Sequence, residues 1–303
     1  MKIPKNIANN KYFLIRYYLF SHLFVLTFLF GLASVNGWHE LFISDPTTAL
    51  MLVLLMLGIG FGGILPIMVL LAVEIPSLVY LGKFALPSFG EGLLLVVLAM
   101  LVGVYSASFM HHASHGHFRY RLLNRAIGEL CALHQLIGFW GWKIPHIAHH
   151  LNADVEGKDP HAPAGMGFLE YSKKIKSDVL HSLKRAYCDT FPNDNAELYW
   201  KCSFALIWTN RIVRVIFWYA LLGVENFILF FVISYLVQLT FYVHFNWVTH
   251  EKSESGGNLI RDLDGRLYYR IINKMMWGMF YHGAHHEFPS LMDPRNASAR
   301  YSD

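Results

Sequence analysis

Along the 303-residue chain, long apolar stretches alternate with short polar ones. The runs at 17–37, 49–73, 92–110, 203–222 and 226–246 each reach the length, roughly 18 residues or more, that reads as a bilayer-spanning helix. The polar joints suggest an orientation. Residues 1–16 carry Lys2, Lys5, Lys11 and Arg16 and no acidic residue, and 119–201 is rich in Lys and Arg. By the positive-inside tendency both face the cytoplasm. The loop "HELFISDPTT" and the tight joint "GVEN" are acidic and suit the other side. An even number of crossings is then needed between the two cationic segments. The stretch 49–90 contains "GIGFGGILP" and then Glu74, Pro76, Lys83 and Pro87, so it is expected to form a hairpin broken near Gly63 and Pro66, covered by protein at depth. No small-residue cleavage site follows the first run, which is read as a retained span. Asn210, Arg211 and Arg214 lie inside the 203–222 run, where they either reach out to headgroups or mark an interior, substrate or docking position. In the tail, "NKMMWGMFYHG" reads as an amphipathic helix near the membrane.

Composition narrows the class. Hydrophobic residues make up 54% of the chain, far from the balance of a water-soluble domain of this length. Three cysteines, Cys131, Cys188 and Cys202, form no CxxC pair, which argues against a rubredoxin-type iron site or a zinc ribbon within the chain. The net charge of +4 comes without a Lys/Arg block, so nucleic acid is not an expected partner; the lipid bilayer is. No repeat or low-complexity segment occurs.

Histidine is the outlier, with 17 residues. Nine follow one grammar. "HHASHGHF" sets His111 and His115 four apart; "HIAHH" holds His146, His149 and His150; "NWVTH" sets Asn246 and His250 four apart; "HGAHH" holds His282, His285 and His286. On a helix, positions i, i+3 and i+4 share a face, so each His-x-x-His-His turns three imidazoles one way. Nine imidazoles suffice for two metals, and imidazole suits iron, zinc, copper or nickel. Each cluster ends an apolar run or follows one closely. His22, His39, His134, His161 and His181 are read as ordinary histidines; His112, His117 and His244 flank the grammar but break its spacing.

These motifs resemble the three histidine boxes of the membrane fatty acid desaturase and hydroxylase superfamily: His111/His115, His146/His149/His150 and His282/His285/His286. "YHGAHHEFPSL" is similar to its third box, and "NWVTHE" to the Asn-x-x-x-His element of the acyl-CoA desaturase branch. The resemblance covers roughly 90–290. It departs at His112, where an acidic residue is common, and in an N-terminal half longer than a plain four-span desaturase needs. It implies an all-α integral membrane protein: a helical bundle of 4–6 spans with a cytoplasmic helical cap holding a histidine-ligated dimetal site. One domain would fill 1–303, with spans to 112, box two in 113–202, a second hairpin in 203–250 and box three in 251–303.

The activity implied is O2-dependent desaturation of a fatty acyl chain at two non-haem irons. A hydroxylase, acetylenase or carotenoid-type oxygenase shares that chemistry. A metal transporter or sensor is the reading from another class, but its ligands would sit near the bilayer midplane. The metal ligands implied are His111, His115, His146, His149, His150, His250, His282, His285 and His286. Ligand imidazoles need a group on the far nitrogen; Asp154, Asp159, Glu251, Glu287 and His112 are candidates, and Asn246 is a candidate for orienting a water. Phe139, Trp140 and Trp142 would line the path of the acyl chain or form an interfacial aromatic belt. With no haem or flavin segment in the chain, electrons are expected from a separate ferredoxin, rubredoxin or cytochrome b5-like donor.

Overall fold

The computed structural model describes residues 10–36, 53–54, 57–58, 64–80, 82, 84–85, 87–155, 157–163, 165–192, 195–252 and 258–300. Among them the chain is helical apart from one two-stranded antiparallel ladder. The helices are α1 (Phe13–Asn36), α2 (Ile64–Tyr80), α3 (Phe89–His115), α4 (Arg121–His134), α5 (Phe139–Leu151), α6 (Phe168–Thr190) and α7 (Ala196–Asn226). A π-helical stretch, Phe227–Val232, leads into α8 (Ile233–Thr249), then β1 (His250–Lys252), β2 (Asn258–Ile260), α9 (Leu267–Met275) and α10 (His282–Glu287).

Three stretches are long and apolar enough to cross a membrane: Phe13–Leu32, Phe89–His115 and the 54-residue Ala196–Thr249. The last would extend about 80 Å if straight, far beyond the ~30 Å hydrocarbon core. It folds back at Gly223, whose φ of 71° and ψ of 169° no helix accommodates. Glycine reaches that backbone region without a Cβ clash. Beyond the turn, Phe231 stacks on Trp218 with ring centroids 5.1 Å apart, and Phe227 meets Tyr219 at 5.8 Å. The two runs expected at 203–222 and 226–246 are therefore the arms of one hairpin.

Of the hairpin expected over 49–90, the first arm lies largely outside the described residues. The second is α2, a single helix with Pro66 in its first turn. There the missing N–H has no intrahelical partner to lose, so Pro66 opens the helix instead of breaking it.

α3 starts on a capping box: the Glu91 N–H donates to Ser88 Oγ, and the Ser88 N–H donates to Glu91 Oε2. It ends at Gly116, left-handed at φ 80°. It lies so close to α8 that a Cβ at Gly103 would meet the Ser234 carbonyl oxygen at 2.5 Å. The main core gathers Phe227, Phe231, Val232, Tyr235 and Val243 of the returning arm with Ile67 and Leu78 of α2 and Tyr171 and Ile175 of α6.

The arginines within α7 neither reach for headgroups nor face the histidines. Arg214 is 2% exposed and donates to the carbonyls of Ala132 and Ile137 and to Ser21 Oγ. Arg211 Nε donates to the Leu136 carbonyl at 3.2 Å, and Trp218 Nε1 to that of Leu133 at 3.1 Å. Together they satisfy the carboxyl end of α4, where a helix leaves carbonyls unpaired and carries partial negative charge. α4 is thereby fixed against the apolar hairpin just before the turn into α5.

The amphipathic helix expected over "NKMMWGMFYHG" stops early. α9 ends at Met275, and Trp277 and Gly278 take φ of 48° and 71°. Asn273 braces the turn, donating from Nδ2 to the Leu263 carbonyl and accepting at Oδ1 from the Phe280 N–H, both at 2.8 Å. The reversal points the following residues back toward α3 and α5.

Candidate metal centre

The nine histidines of the repeated grammar converge. His111 and His115 occupy the last turns of α3; His146, His149 and His150 lie on α5; His250 opens β1; His282, His285 and His286 form half of α10. β1 pairs with β2, His250 opposite Ile260, and Asp262 bridges to Tyr281. Asp262 Oδ1 then accepts from the Ala284 N–H at 3.1 Å, which ties α10 to the segment after β2, the partner of the strand that carries His250.

Two groups result. The nitrogens of His111, His115, His146 and His285 lie within 4.8 Å of one another, and so do those of His149, His250, His282 and His286. His150 stands between them: its Nε2 is 3.2 Å from His146 Nε2 and 3.3 Å from His285 Nε2, while its ring stacks on His286 at 4.3 Å. Each His-x-x-His-His triplet therefore contributes to both groups.

The donor set fits metal. Nε2 atoms face each other at 2.8 Å in His115–His146, 3.0 Å in His250–His282 and 3.1 Å in His149–His286. Ligands about 2.0–2.1 Å from one cation lie ~2.8–4.2 Å apart, so the spacing is that of a coordination shell. In the second group the tautomers are fixed from behind. Asp159 Oδ1 is 2.8 Å from His149 Nδ1, and Asp154 Oδ1 is 3.0 Å from His250 Nδ1. With Nδ1 donating to a carboxylate, each ring turns a lone pair inward from Nε2.

Asp159 is itself held in place. Oδ2 accepts from the Asp154 N–H, and Oδ1 from the His161 N–H, each at 2.7 Å. Asp154 adopts φ 59°, a region that aspartate tolerates better than most residues. Burial first, and neighbouring imidazoles after it, hold His146, His149, His282 and His285 well below the ordinary histidine range and bring His150 to about 4. Neutral imidazole is the form that binds metal.

His161, expected to be an ordinary histidine, belongs to this assembly. It is buried, its ring lies 4.8 Å from that of His149, and its Nε2 is 2.6 Å from the Tyr242 hydroxyl. The Tyr171 hydroxyl donates to its carbonyl at 2.6 Å. The available signal was its place two residues after Asp159. His134 is an ordinary core histidine, bonded to Ser106 and Ser234.

Other candidates fall elsewhere. His112 turns from the ligand groups: its Nδ1 is 2.8 Å from His117 Nδ1, and His117 Nε2 donates to the Pro289 carbonyl. The pair joins the end of α3 to the loop after α10. Glu287 is exposed and makes no hydrogen bond or ion pair among the described residues, so it does not hold a ligand. The Glu251 side chain lies outside the described residues. Asn246 is buried near the end of α8, its Nδ2 donating to the Tyr242 carbonyl. Trp142 stacks on His146 at 4.5 Å. Phe139 and Trp140 do not reach the histidine groups; Phe139 packs with Met110, Ala113 and Cys131, and Trp140 meets Phe13 edge-on at 5.2 Å. His244 lines a groove of about 680 Å³ that also touches His250.

Apolar helices long enough to cross a bilayer, with a largely buried imidazole cluster able to hold metal, point to a membrane protein of a metal-binding class. Residues 91–296, more than half of the chain, match the fatty acid desaturase family, and the chain belongs to that family. No curated protein and no solved structure matches it.

Proposed function

We propose that the protein is an O2-dependent desaturase that introduces a double bond into a fatty acyl chain. Two irons would be held by the nine histidines, and the electrons would come from a separate ferredoxin, rubredoxin or cytochrome b5-like carrier. The observation that carries this is the convergence of nine imidazoles, in two groups of four joined by His150, within a chain of the desaturase family. Iron with O2 supplies the strong oxidant that an unactivated methylene demands and that no side chain provides.

The chain's own residues then have defined tasks. Asp159 and Asp154 keep the Nδ1 protons of His149 and His250 in place, so that Nε2 stays a donor. Trp142 covers His146 and keeps water from that side. The groove beside His250, walled by Met166, Trp247, Val248 and Leu263, gives an acyl chain a route to the second group. Arg261 and Arg266 stand at that groove and suit the polar end of the substrate. Asn246, one helical turn before His250, orients a water. The histidine boxes face the cytoplasm, consistent with the Lys- and Arg-rich segment between boxes one and two. With the 64–80 region included, the bundle has four to six spans.

The test is metal analysis of the detergent-purified protein, followed by lipid analysis after aerobic incubation with an acyl substrate and a reduced donor. Two irons per chain and a new double bond are expected. One zinc, or no tightly held metal after anaerobic iron loading, overturns the proposal and favours a transporter or sensor.

A further inference from the structure

A second cavity, of about 430 Å³, opens between α1, α4 and α7. Its walls are Phe20, Phe24 and Val25 of α1 and Leu130 and Leu133 of α4, with Arg214 of α7 also lining it. None of the nine histidines borders it. Its size falls within the ~300–1,000 Å³ of small-ligand sites. Phe20, Phe24 and Leu130 are 71%, 62% and 67% exposed, on an apolar face that a membrane-crossing α1 turns to lipid.

The cavity changes character along α1. At the Tyr17 end Arg125 lines it, and a cationic, aromatic cluster adjoins that residue. Arg125 lies over the rings of Tyr17 (5.2 Å), Trp140 (5.7 Å) and Phe139 (5.9 Å), and Lys143 over those of Trp140 (5.4 Å) and Phe139 (5.7 Å). Arg121 is close enough to join Arg125 in disfavouring the charge on Lys143. One carboxylate, Glu129, lines the cavity, and it is engaged by Arg125 at 2.7 Å and by the Tyr17 hydroxyl at 2.9 Å. Two turns along α1, about 12 Å further, the α1 wall is apolar, at Phe24 and Val25. Arg214 Nε, buried, has no hydrogen-bond partner there.

An excess of cations at one end calls for an anion, and a lipid-facing apolar slot calls for a hydrocarbon chain. We propose that this cavity binds an anionic membrane phospholipid, its phosphate against Arg121, Arg125 and Lys143 and one acyl chain along Phe20, Phe24, Leu130 and Leu133. Trp140 then forms the interfacial shelf beneath the headgroup, with Phe139 buried behind it, and neither is a wall of the substrate path. This site stands whether or not the desaturase proposal holds, because it shares no residue with the histidine groups.

Full-length protein in phosphatidylcholine nanodiscs, doped with phosphatidylglycerol carrying a photoreactive group in its acyl chain, tests the site. Crosslinks are expected within 13–36 and 121–134. Unlabelled phosphatidylglycerol should compete, whereas extra phosphatidylcholine, sodium phosphate or a fatty acyl-CoA should not. Arg121→Gln with Lys143→Gln should reduce labelling about tenfold, since each surface cation contributes appreciably to anionic-lipid binding. Leu133→Trp should block the chain while leaving the rim intact. Bound metal and thermal midpoint identify a variant that misfolds; if Leu133→Trp does, the double variant still decides. Labelling spread evenly over the exposed faces of α1, α3 and α7 overturns the proposal. So does equal competition by phosphatidylcholine, by phosphate or by the acyl-CoA, which would mean unselective lipid, a free-anion site or a substrate site.

Discussion

The two histidine groups are built alike at their inner nitrogens and differently behind them. In the group of His149, His250, His282 and His286, two rings rest on buried carboxylates, Asp159 and Asp154. In the group of His111, His115, His146 and His285, no carboxylate bonds a ring among the described residues, and an indole covers His146 instead. A carboxylate behind an imidazole raises its basicity and fixes its orientation. Two metals in this centre should therefore differ: the second group binds its ion more tightly, and the first depends on packing. The groove at His250 also reaches only the carboxylate-backed group.

The largest effect should come from deleting one ligand of each group. His149→Ala removes an inner nitrogen of the carboxylate-backed group, and His146→Ala one of the other. On the proposed two-iron centre, each should abolish turnover and lower the metal content from two per chain toward one. Loss of both irons in either variant would show that the groups hold metal as a unit, and the contrast between them would fall.

Asp159→Asn comes next. It leaves His149 in place, but an amide N–H must now face one of the backbone N–H groups that the carboxylate accepts. Metal affinity of the second group should fall about 10–100-fold. Competition with a graded chelator reads this directly, as an early phase of metal loss absent from the parent protein. A single unchanged phase would mean that Asp159 supports the loop and not the ligand.

How far this asymmetry could be read from the sequence depends on which contacts are local. The triplet spacing picked out the histidines that converge, because i, i+3 and i+4 share a face on any helix. How each triplet is shared between two groups was not legible, since it depends on how α5 crosses α10. The hairpin arms were visible as apolar runs; their fold-back rests on Gly223 within "GVEN", a joint the pattern did mark. Trp142 and His146 are four apart and stack, whereas Phe139 is a further turn away and packs on α4. Reading 139–142 as one cluster hid that difference. His161 lies outside every box, and only the tight Asp159–Pro160–His161 turn brings it against His149.

Trp142→Leu sharpens the contrast from the other side. The indole is 8% exposed and covers His146, so the smaller side chain leaves a void and a less confined ring. The early phase of chelator loss should now come from the first group, with a shift of only a few-fold, because no charge has been removed. A matching loss from both groups would point to general loosening of α5.

The smallest effect is expected at Glu287. It adjoins His286 in sequence, and proximity alone made it a candidate for holding a ligand. On α10, however, the residue after His286 turns about 100° away from it. Glu287 accordingly ends exposed, without a hydrogen-bond or ion-pair partner among the described residues. Glu287→Gln should leave metal content, chelator kinetics and turnover within error of the parent. Asp159 is ten residues from the histidine it supports, and Asp154 ninety-six. If Glu287→Gln nevertheless changed metal loss from the second group, support for its ligands would extend to α10 itself, and the two aspartates would no longer account for the difference between the groups.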